Sequence, residues 1–108
     1  MRIIGGAFKG KKIFEPLDKV TRPLKDLTKE SIFNILKHSK HFNFKLDESN
    51  ILDLFCGTGS FGLECVSRGA SNVSFVENHK PVLQVLLRNI DKLKCHKKIE
   101  IIEKDIFD

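Results

Sequence analysis

Residues 50–64 read NILDLFCGTGSFGLE and contain the clearest structural pattern of the sequence. A short apolar run contains Asp53, and Gly57, Gly59 and Gly62 follow it at Gly-x-Gly-x-x-Gly spacing. The first two glycines permit a tight turn and a close approach to a ligand, and the third lets a helix lie close on the strand. The stretch therefore predicts a strand, a glycine loop and a helix, the first unit of a nucleotide-binding α/β domain.

Asp53 favours a cationic cofactor over a dinucleotide. It stands four residues before Gly57, near the carboxyl end of the strand, where α/β domains bind their ligands. Opposite unit charges ~4 Å apart attract by about 4 kcal/mol at an effective dielectric constant of about 20, and a pyrophosphate would be repelled similarly. S-adenosylmethionine carries a sulfonium and an ammonium group, so it fits this aspartate. A strand-end aspartate that only caps a local turn is the alternative.

The second predicted strand covers residues 72–77 and ends in Glu77. Glu77 follows Asp53 by 24 positions, close to the offset of about 20 residues at which an acid binds ribose hydroxyls. A carboxylate at this place can accept hydrogen bonds from both hydroxyls of a ribose.

A helix and a third strand follow. Apolar residues at helical spacing predict a helix that ends at about Lys94, with Asn78 as its cap and Pro81 in its first turn. Residues 98–104 form the third predicted strand, and Asp105 comes directly after it.

The positive charge lies before the glycine loop. Residues 1–46 hold 11 Lys/Arg and 4 Asp/Glu, a balance of +7, whereas residues 47–108 have a balance of −2. Two short apolar runs separated by glycines predict a basic β-hairpin over residues 2–14. A basic segment on a neutral-to-acidic domain indicates a nucleic-acid partner, and an ordinary lysine-rich surface is the alternative.

A helix is predicted over residues 26–37. Its apolar residues recur near the helical period and are expected to face the core, with Lys29 on the polar side. The predicted core stripe consists of Leu27, Ile32, Phe33, Ile35 and Leu36.

Several stretches resemble one family within the class I S-adenosylmethionine-dependent methyltransferases. Residues 53–59, DLFCGTG, resemble motif I of that class. Residues 2–12 (RIIGGAFKGKK), 21–23 (TRP) and 29–36 (KESIFNIL) resemble stretches of the bacterial family that methylates the N2 amino group of a guanine in 16S ribosomal RNA. Leu24 and Lys25 depart from the small hydroxyl residues that usually follow TRP in that family.

The resemblance implies a fold and a set of sites. The fold is α/β: the first half of a Rossmann-like class I methyltransferase sheet, with strands in the order 3-2-1, preceded by a basic N-terminal β-hairpin and a helix. Residues 1–46 would form an RNA-facing extension, and residues 47–108 an incomplete S-adenosylmethionine-binding domain. The cofactor would be held by Asp53, Phe55, Gly57, Gly59, Glu77, Asn78, Asp105 and Ile106. RNA would be held by Arg2, Lys9, Lys11, Lys12 and Arg22.

The catalytic motif of the family does not occur in these residues. Family members have an Asp/Asn-Pro-Pro-aromatic motif after the next strand, but the prolines here are Pro16, Pro23 and Pro81, with no Pro-Pro pair. We therefore expect the first half of a family member, without catalytic residues of its own and inactive alone. Its first strand would have an open edge, at which self-association is expected.

The cysteines, the histidines and the apolar runs indicate which kinds of site and location to expect. Three cysteines without a C-x-x-C pair and four scattered histidines give no metal-site pattern. No apolar run approaches a membrane span, so we expect a cytoplasmic protein. The family resemblance implies that its partner is 16S ribosomal RNA or a small-subunit assembly intermediate. Two alternatives stay open: a fragment of an NAD-dependent oxidoreductase, or a non-catalytic module that binds RNA or dimerises.

Overall fold

A three-stranded parallel sheet forms the centre of the computed structural model, which describes residues 1–15, 26–38, 45–54 and 58–104. The strands are β1 (Asn50–Asp53), β2 (Asn72–Val76) and β3 (Ile99–Ile102), in the spatial order β1-β2-β3. The register pairs Asp53 with Phe75 and Val76 with Ile102, so all three strands end at the same edge. This arrangement confirms the predicted half-sheet.

Three helices accompany the sheet: α1 (Asp26–His38), α2 (Ser60–Ser67) and α3 (Lys80–Leu93). A 3₁₀ turn, His96–Lys98, leads from α3 into β3. The end of α2 follows from Gly69, which has a φ of +108°. The Gly69 N–H donates to the Val66 carbonyl and the Ala70 N–H to the Cys65 carbonyl, which is the hydrogen-bond pattern of a Schellman motif.

The core lies between the sheet, α2 and α3. Gly62 allows α2 to pack directly on β2, because a Cβ added there would lie 2.2 Å from Cε1 of Phe75. The close approach predicted at the third glycine is therefore present, but the strand that it meets is β2, the neighbour of the strand that precedes the loop. The buried apolar cluster contains Ile3, Ile13, Phe33, Leu63, Cys65, Val66, Ala70, Val73, Phe75, Leu86, Ile90, Leu93 and Cys95. It includes residues from both sides of position 46, so the described parts of the two predicted units share one core.

The N-terminal segment, residues 1–15, is less regular than the predicted hairpin. It contains one isolated antiparallel bridge, between Arg2 and Lys12, and not two continuous strands. Three backbone hydrogen bonds join its two arms, at Ile3–Lys11, Ile3–Gly10 and Met1–Ile13, but several N–H groups between the arms donate to α2 and do not extend the ladder. The Ala7 N–H donates to the Ser67 carbonyl at 2.7 Å, and the Phe8 N–H donates to Oγ of the same serine at 2.9 Å.

Helix α1 buries a narrower face than its apolar pattern predicts. Phe33 is buried, but Leu27 and Ile35 are 76% and 57% exposed, so their assignment to the core was wrong. The assignment of Lys29 to the polar side was also wrong, because Lys29 is fully buried. A buried carboxylate, described below, compensates its charge. In the described residues, no helix has the length and apolar character needed to cross a membrane.

Candidate cofactor-binding site

Two predicted acids lie at the carboxyl edge of the sheet. Asp53 is the last residue of β1, and Glu77 comes directly after β2. The Glu77 N–H donates to the carbonyl of Ile102, the last residue of β3, at 3.1 Å. The parallel topology thus places both carboxylates at the edge where α/β sheets bind ligands.

Gly59 joins the loop after β1 to helix α2. Its φ of +86° lies in the left-handed region, and an added Cβ would lie 2.4 Å from Cδ1 of Leu86. Gly59 is the N-cap of α2 and contributes no side-chain cap, although its carbonyl accepts the Leu63 N–H at 2.8 Å. A helix start of this kind has backbone N–H groups available to an anionic group such as a ligand carboxylate.

The Glu77 carboxylate is oriented by the chain that follows it. Its Oε2 accepts hydrogen bonds from the N–H groups of Asn78 at 3.1 Å and His79 at 3.2 Å. The prediction that Asn78 caps α3 was wrong: His79 occupies the N-cap position, and Asn78 is exposed directly beside Glu77. These two hydrogen bonds fix the Glu77 carboxylate at the strand end through Oε2. A carboxylate fixed in this way is suited to accept hydrogen bonds from ribose hydroxyls.

Asp53 lies partly inside the structure, and its Oδ2 atom is buried. Its negative charge acts on α2: burial, followed by the charges of Asp53 and Glu64, raises the pKa of the Cys65 thiol to about 12. The aspartate is therefore close to the helix whose N-terminus adjoins Gly59. An acid at a strand end, a left-handed glycine, a helix start and an oriented glutamate together fit a cofactor with cationic, carboxylate and ribose groups.

Part of the predicted cofactor set lies outside the described residues, namely Phe55, Gly57, Asp105 and Ile106. The structure brings together the other four, Asp53, Gly59, Glu77 and Asn78. A cavity of about 540 Å³ lies elsewhere, bordered by Gly5, Gly6, α1, residues 45–47 and Arg68. None of these four cofactor residues lines that cavity.

The predicted RNA residues lie together on the N-terminal segment. Arg2, Lys9, Lys11 and Lys12 are exposed, and the Lys11 ammonium lies 5.6 Å from the centroid of the Phe8 ring. Arg22 lies outside the described residues. The segment is held in place by buried polar groups that sequence reasoning missed.

Glu64 is the first of these missed groups. It lies in the apolar helix α2, and its side chain is fully buried. Its carboxylate accepts hydrogen bonds from the N–H groups of Ile4 and Gly5 at 2.8 and 2.9 Å. It also pairs with Nζ of Lys29 at 3.3 Å and Nε of Arg68 at 2.8 Å. The sequence signal that could have indicated a buried Glu64 is a single carboxylate in an otherwise apolar stretch.

Lys29 and Asn89 connect the N-terminal segment to the glycine loop and to the start of α2. Lys29 Nζ donates to the carbonyl of Arg2 at 2.7 Å and to Oγ of Ser60 at 3.1 Å. Asn89 Nδ2 donates to the carbonyls of Phe14 and Thr58, each at 3.1 Å. The predicted RNA-facing and cofactor-binding parts are therefore joined directly through buried side chains.

Comparison with known proteins gives a consistent result. The family described as conserved hypothetical protein 95 matches residues 1–108. Ribosomal RNA small subunit methyltransferase D from Haemophilus influenzae is 37% identical over 109 residues, which cover 100% of this chain and 53% of that protein. The protein of the same name from Escherichia coli K12 is 35% identical over 95 residues, covering 88% of this chain and 45% of its own length.

A solved structure agrees with these sequence matches. An Escherichia coli protein described as a presumed methyltransferase superposes with a TM-score of 0.79 at 31% identity, covering 97% of this chain and 52% of its own. The chain thus spans about half the length of the relatives that it matches.

Proposed function

The chain belongs to the family described as conserved hypothetical protein 95, and from that membership we propose that it forms the cofactor-binding part of an S-adenosylmethionine-dependent ribosomal RNA methyltransferase. The observation that carries this proposal is the meeting of Asp53, Gly59 and Glu77 at the carboxyl edge of a parallel sheet. Cofactor-binding α/β domains place their ligands at this edge.

Each residue has a distinct part in holding the cofactor. Glu77, oriented by the N–H groups of Asn78 and His79, accepts from the ribose hydroxyls. Asp53 stabilises positive charge, and the left-handed turn at Gly59 lets the backbone approach the ligand. When bound, S-adenosylmethionine supplies a methyl group on a positively charged sulfur. The contribution of these side chains is to position that group, and position accounts for a large part of catalysis in reactions between two bound partners.

The substrate that we propose is 16S ribosomal RNA, which is methylated at N2 of a guanine. We propose that the reaction takes place in the cytoplasm. The H. influenzae and E. coli relatives are named as methyltransferases of small-subunit ribosomal RNA, which supports the class of substrate. The resemblance of residues 2–12 and 29–36 supports the guanine N2 target. Arg2, Lys9, Lys11, Lys12 and Arg22 would contact phosphates, and such contacts position RNA without reading its sequence.

Methyl transfer needs groups beyond these residues. The 108 residues contain no Asp/Asn-Pro-Pro-aromatic motif, so we expect this chain to bind cofactor without transferring a methyl group by itself. We also propose that β1 accepts a further strand, because within the described residues β1 pairs only with β2. A second copy of the chain is the partner expected in a pure preparation.

Calorimetric titration tests the cofactor assignment. The purified chain is titrated with S-adenosylhomocysteine and, in a parallel experiment, with NADH. We expect heat with S-adenosylhomocysteine that is lost in Asp53→Asn and Glu77→Gln variants and is kept in Glu100→Gln, which removes an exposed carboxylate from β3.

The two ligands separate the competing assignments. Heat with NADH alone would instead support an oxidoreductase fragment. RNA binding without heat from either ligand would support a non-catalytic RNA-binding module.

A further inference from the structure

Two cations from α3 lie against one aromatic ring of the N-terminal segment. The guanidinium carbon of Arg88 is 4.3 Å from the centroid of the Phe14 ring, and Nζ of Lys92 is 5.0 Å from it. Both distances fall within the ~6 Å range of a cation–π contact. The Phe14 ring is 37% exposed, so the charges of Arg88 and Lys92 lie together at the surface.

The position of Phe14 is fixed by its backbone. Oδ1 of the buried Asn89 accepts the Phe14 N–H at 2.6 Å, and Nδ2 of Asn89 donates to the Phe14 carbonyl at 3.1 Å. Lys92 also donates from Nζ to the Lys12 carbonyl at 2.7 Å. These contacts hold residues 12–14 on α3, so Arg88 and Lys92 lie beside a basic residue already assigned to RNA.

Among the described residues, no ion pair neutralises the positive charge at this place. Asp91, the acid on the same stretch of α3, lies 3.6 Å from Nε2 of His96, and Glu15 pairs with the Met1 amino group at 3.2 Å. In the described part of the chain, no ion pair involves Arg88 or Lys92. Like charges one helical turn apart repel each other, and an anionic ligand would relieve this repulsion.

We propose that Arg88, Lys92 and Lys12 form a phosphate-binding patch, the α3 patch, that extends the RNA surface of the N-terminal segment onto the methyltransferase-like domain. The inference deepens the proposed function, because it rests on an RNA substrate. The α3 patch contacts consecutive phosphates of the RNA backbone. An arginine over an aromatic ring also offers its outer face to an unstacked base, which is a common mode of RNA recognition.

Fluorescence anisotropy of a fluorescein-labelled hairpin from 16S ribosomal RNA tests the α3 patch. The variant is the Arg88→Gln/Lys92→Gln double substitution. The control is Lys97→Gln/Lys98→Gln, which removes the same amount of charge from two exposed residues. These lysines belong to the turn before β3, at the amino ends of the strands. Urea midpoints of both variants confirm that they fold.

The α3 patch predicts a large and specific loss of RNA affinity. The Arg88/Lys92 variant should bind the hairpin at least about 10-fold more weakly than the control variant. The slope of log K against log salt should fall by roughly 1 to 2, because up to two phosphate contacts are lost. The loss should be similar for an unrelated hairpin, since phosphate contacts carry no sequence information.

Three results would overturn the α3 patch. If the wild-type chain binds RNA and the two double variants bind it equally, the RNA surface lies elsewhere and the proposed function stands. If polyglutamate binding is lost in the Arg88/Lys92 variant while RNA binding is kept, the surface serves an acidic protein. If the wild-type chain shows no salt-dependent RNA binding, the proposal of an α3 patch is wrong. The titration with S-adenosylhomocysteine then tests the cofactor site independently of RNA binding.

Discussion

Glu64 connects the N-terminal segment to helix α2. Its two oxygens accept from two backbone N–H groups, one ammonium and one guanidinium. A buried ion pair adds little to stability compared with an apolar replacement of both partners, but removing one partner leaves the other charge buried and uncompensated. Lys29, which is fully buried, would be that charge.

We predict that Glu64→Gln lowers the free energy of unfolding by about 3 kcal/mol, because the amide cannot neutralise Lys29. Urea denaturation followed by circular dichroism measures the change. The control is Glu100→Gln, which removes an exposed carboxylate on β3 and should alter stability by no more than about 0.5 kcal/mol. Equal stability of the two variants would show that the buried network contributes nothing.

Cys65 provides a prediction about alkaline pH. Burial, with the charges of Asp53 and Glu64 adding to it, raises the pKa of the thiol from 9.0 to about 12. Between these values the unfolded chain loses the thiol proton and the native chain keeps it, so stability falls as pH rises. One such thiol contributes a slope of up to about 1.4 kcal/mol per pH unit.

A Cys65→Ala variant lacks this titration. Its unfolding free energy should therefore decline less steeply than that of the wild-type protein between about pH 9 and pH 10.5. Urea unfolding at successive pH values measures both slopes. Parallel curves would mean that the folded state does not suppress ionisation of this thiol.

Single residues show where sequence reasoning succeeded and where it failed. The strand-end positions of Asp53 and Glu77 were predicted correctly, because each acid lies near the carboxyl end of a short apolar run that is visible in the sequence. Lys29, Glu64 and Asn89 were missed, because apart from Arg68, four residues after Glu64, their partners lie 27 to 75 residues away along the chain. Only the packed structure brings such partners together, and a sequence pattern does not predict which charge will be buried.

At the scale of elements, α2 is placed on β2 by the absence of a side chain at Gly62. Alanine is a better helix former than glycine by about 1 kcal/mol, so propensity alone favours replacement. At this position, however, an added Cβ would lie 2.2 Å from Cε1 and 2.5 Å from Cζ of Phe75. The helix would have to move away from the sheet.

We predict that Gly62→Ala destabilises the protein by about 1–3 kcal/mol, in the direction opposite to helix propensity. Chemical denaturation gives the value. Asn34→Ala on the exposed side of α1 is the control, and it should be neutral or slightly stabilising because alanine is the better helix former. A gain of stability in Gly62→Ala would contradict the close packing of α2 on β2.

The elements differed in how well their patterns predicted them. The α2–β2–α3–β3 order followed from strong signals, including Gly69 after α2 and the apolar period of α3. The N-terminal hairpin was predicted as a two-stranded ladder and contains one isolated bridge, because several N–H groups between its two arms donate to α2. Leu27 and Ile35 were assigned to the core but are exposed, since the apolar period does not show how wide a face of α1 its neighbours cover, and Phe33 stacks on Phe61 of α2.

At the scale of the whole molecule, β1 carries an apolar surface at the edge of the described sheet. Leu52 is 58% exposed and Leu54 is 44% exposed, two residues apart on this strand and the turn after it. Edge strands with exposed apolar residues pair readily with other chains. The purified chain should therefore associate with itself in a concentration-dependent way.

Sedimentation velocity over a range of concentrations measures this association. Leu52→Lys should shift the protein toward the monomer, because a lysine on an edge strand opposes pairing. The control is Leu87→Lys on α3, where the wild-type leucine is 52% exposed but lies away from the sheet edge. A monomer at every concentration, or equal dissociation by both variants, would refute association through β1.

The central claim is that S-adenosylmethionine is held at the carboxyl edge of the sheet and not in the cavity beside α1. The most direct test is a ¹⁵N–¹H correlation spectrum of the chain during titration with S-adenosylhomocysteine. We predict that the amide signals of Thr58, Gly59, Ser60, Glu77 and Asn78 shift while those of the cavity residues do not. Shifts confined to Gly5, Gly6 and Leu46, which line the cavity, or no shifts at all, would contradict the claim.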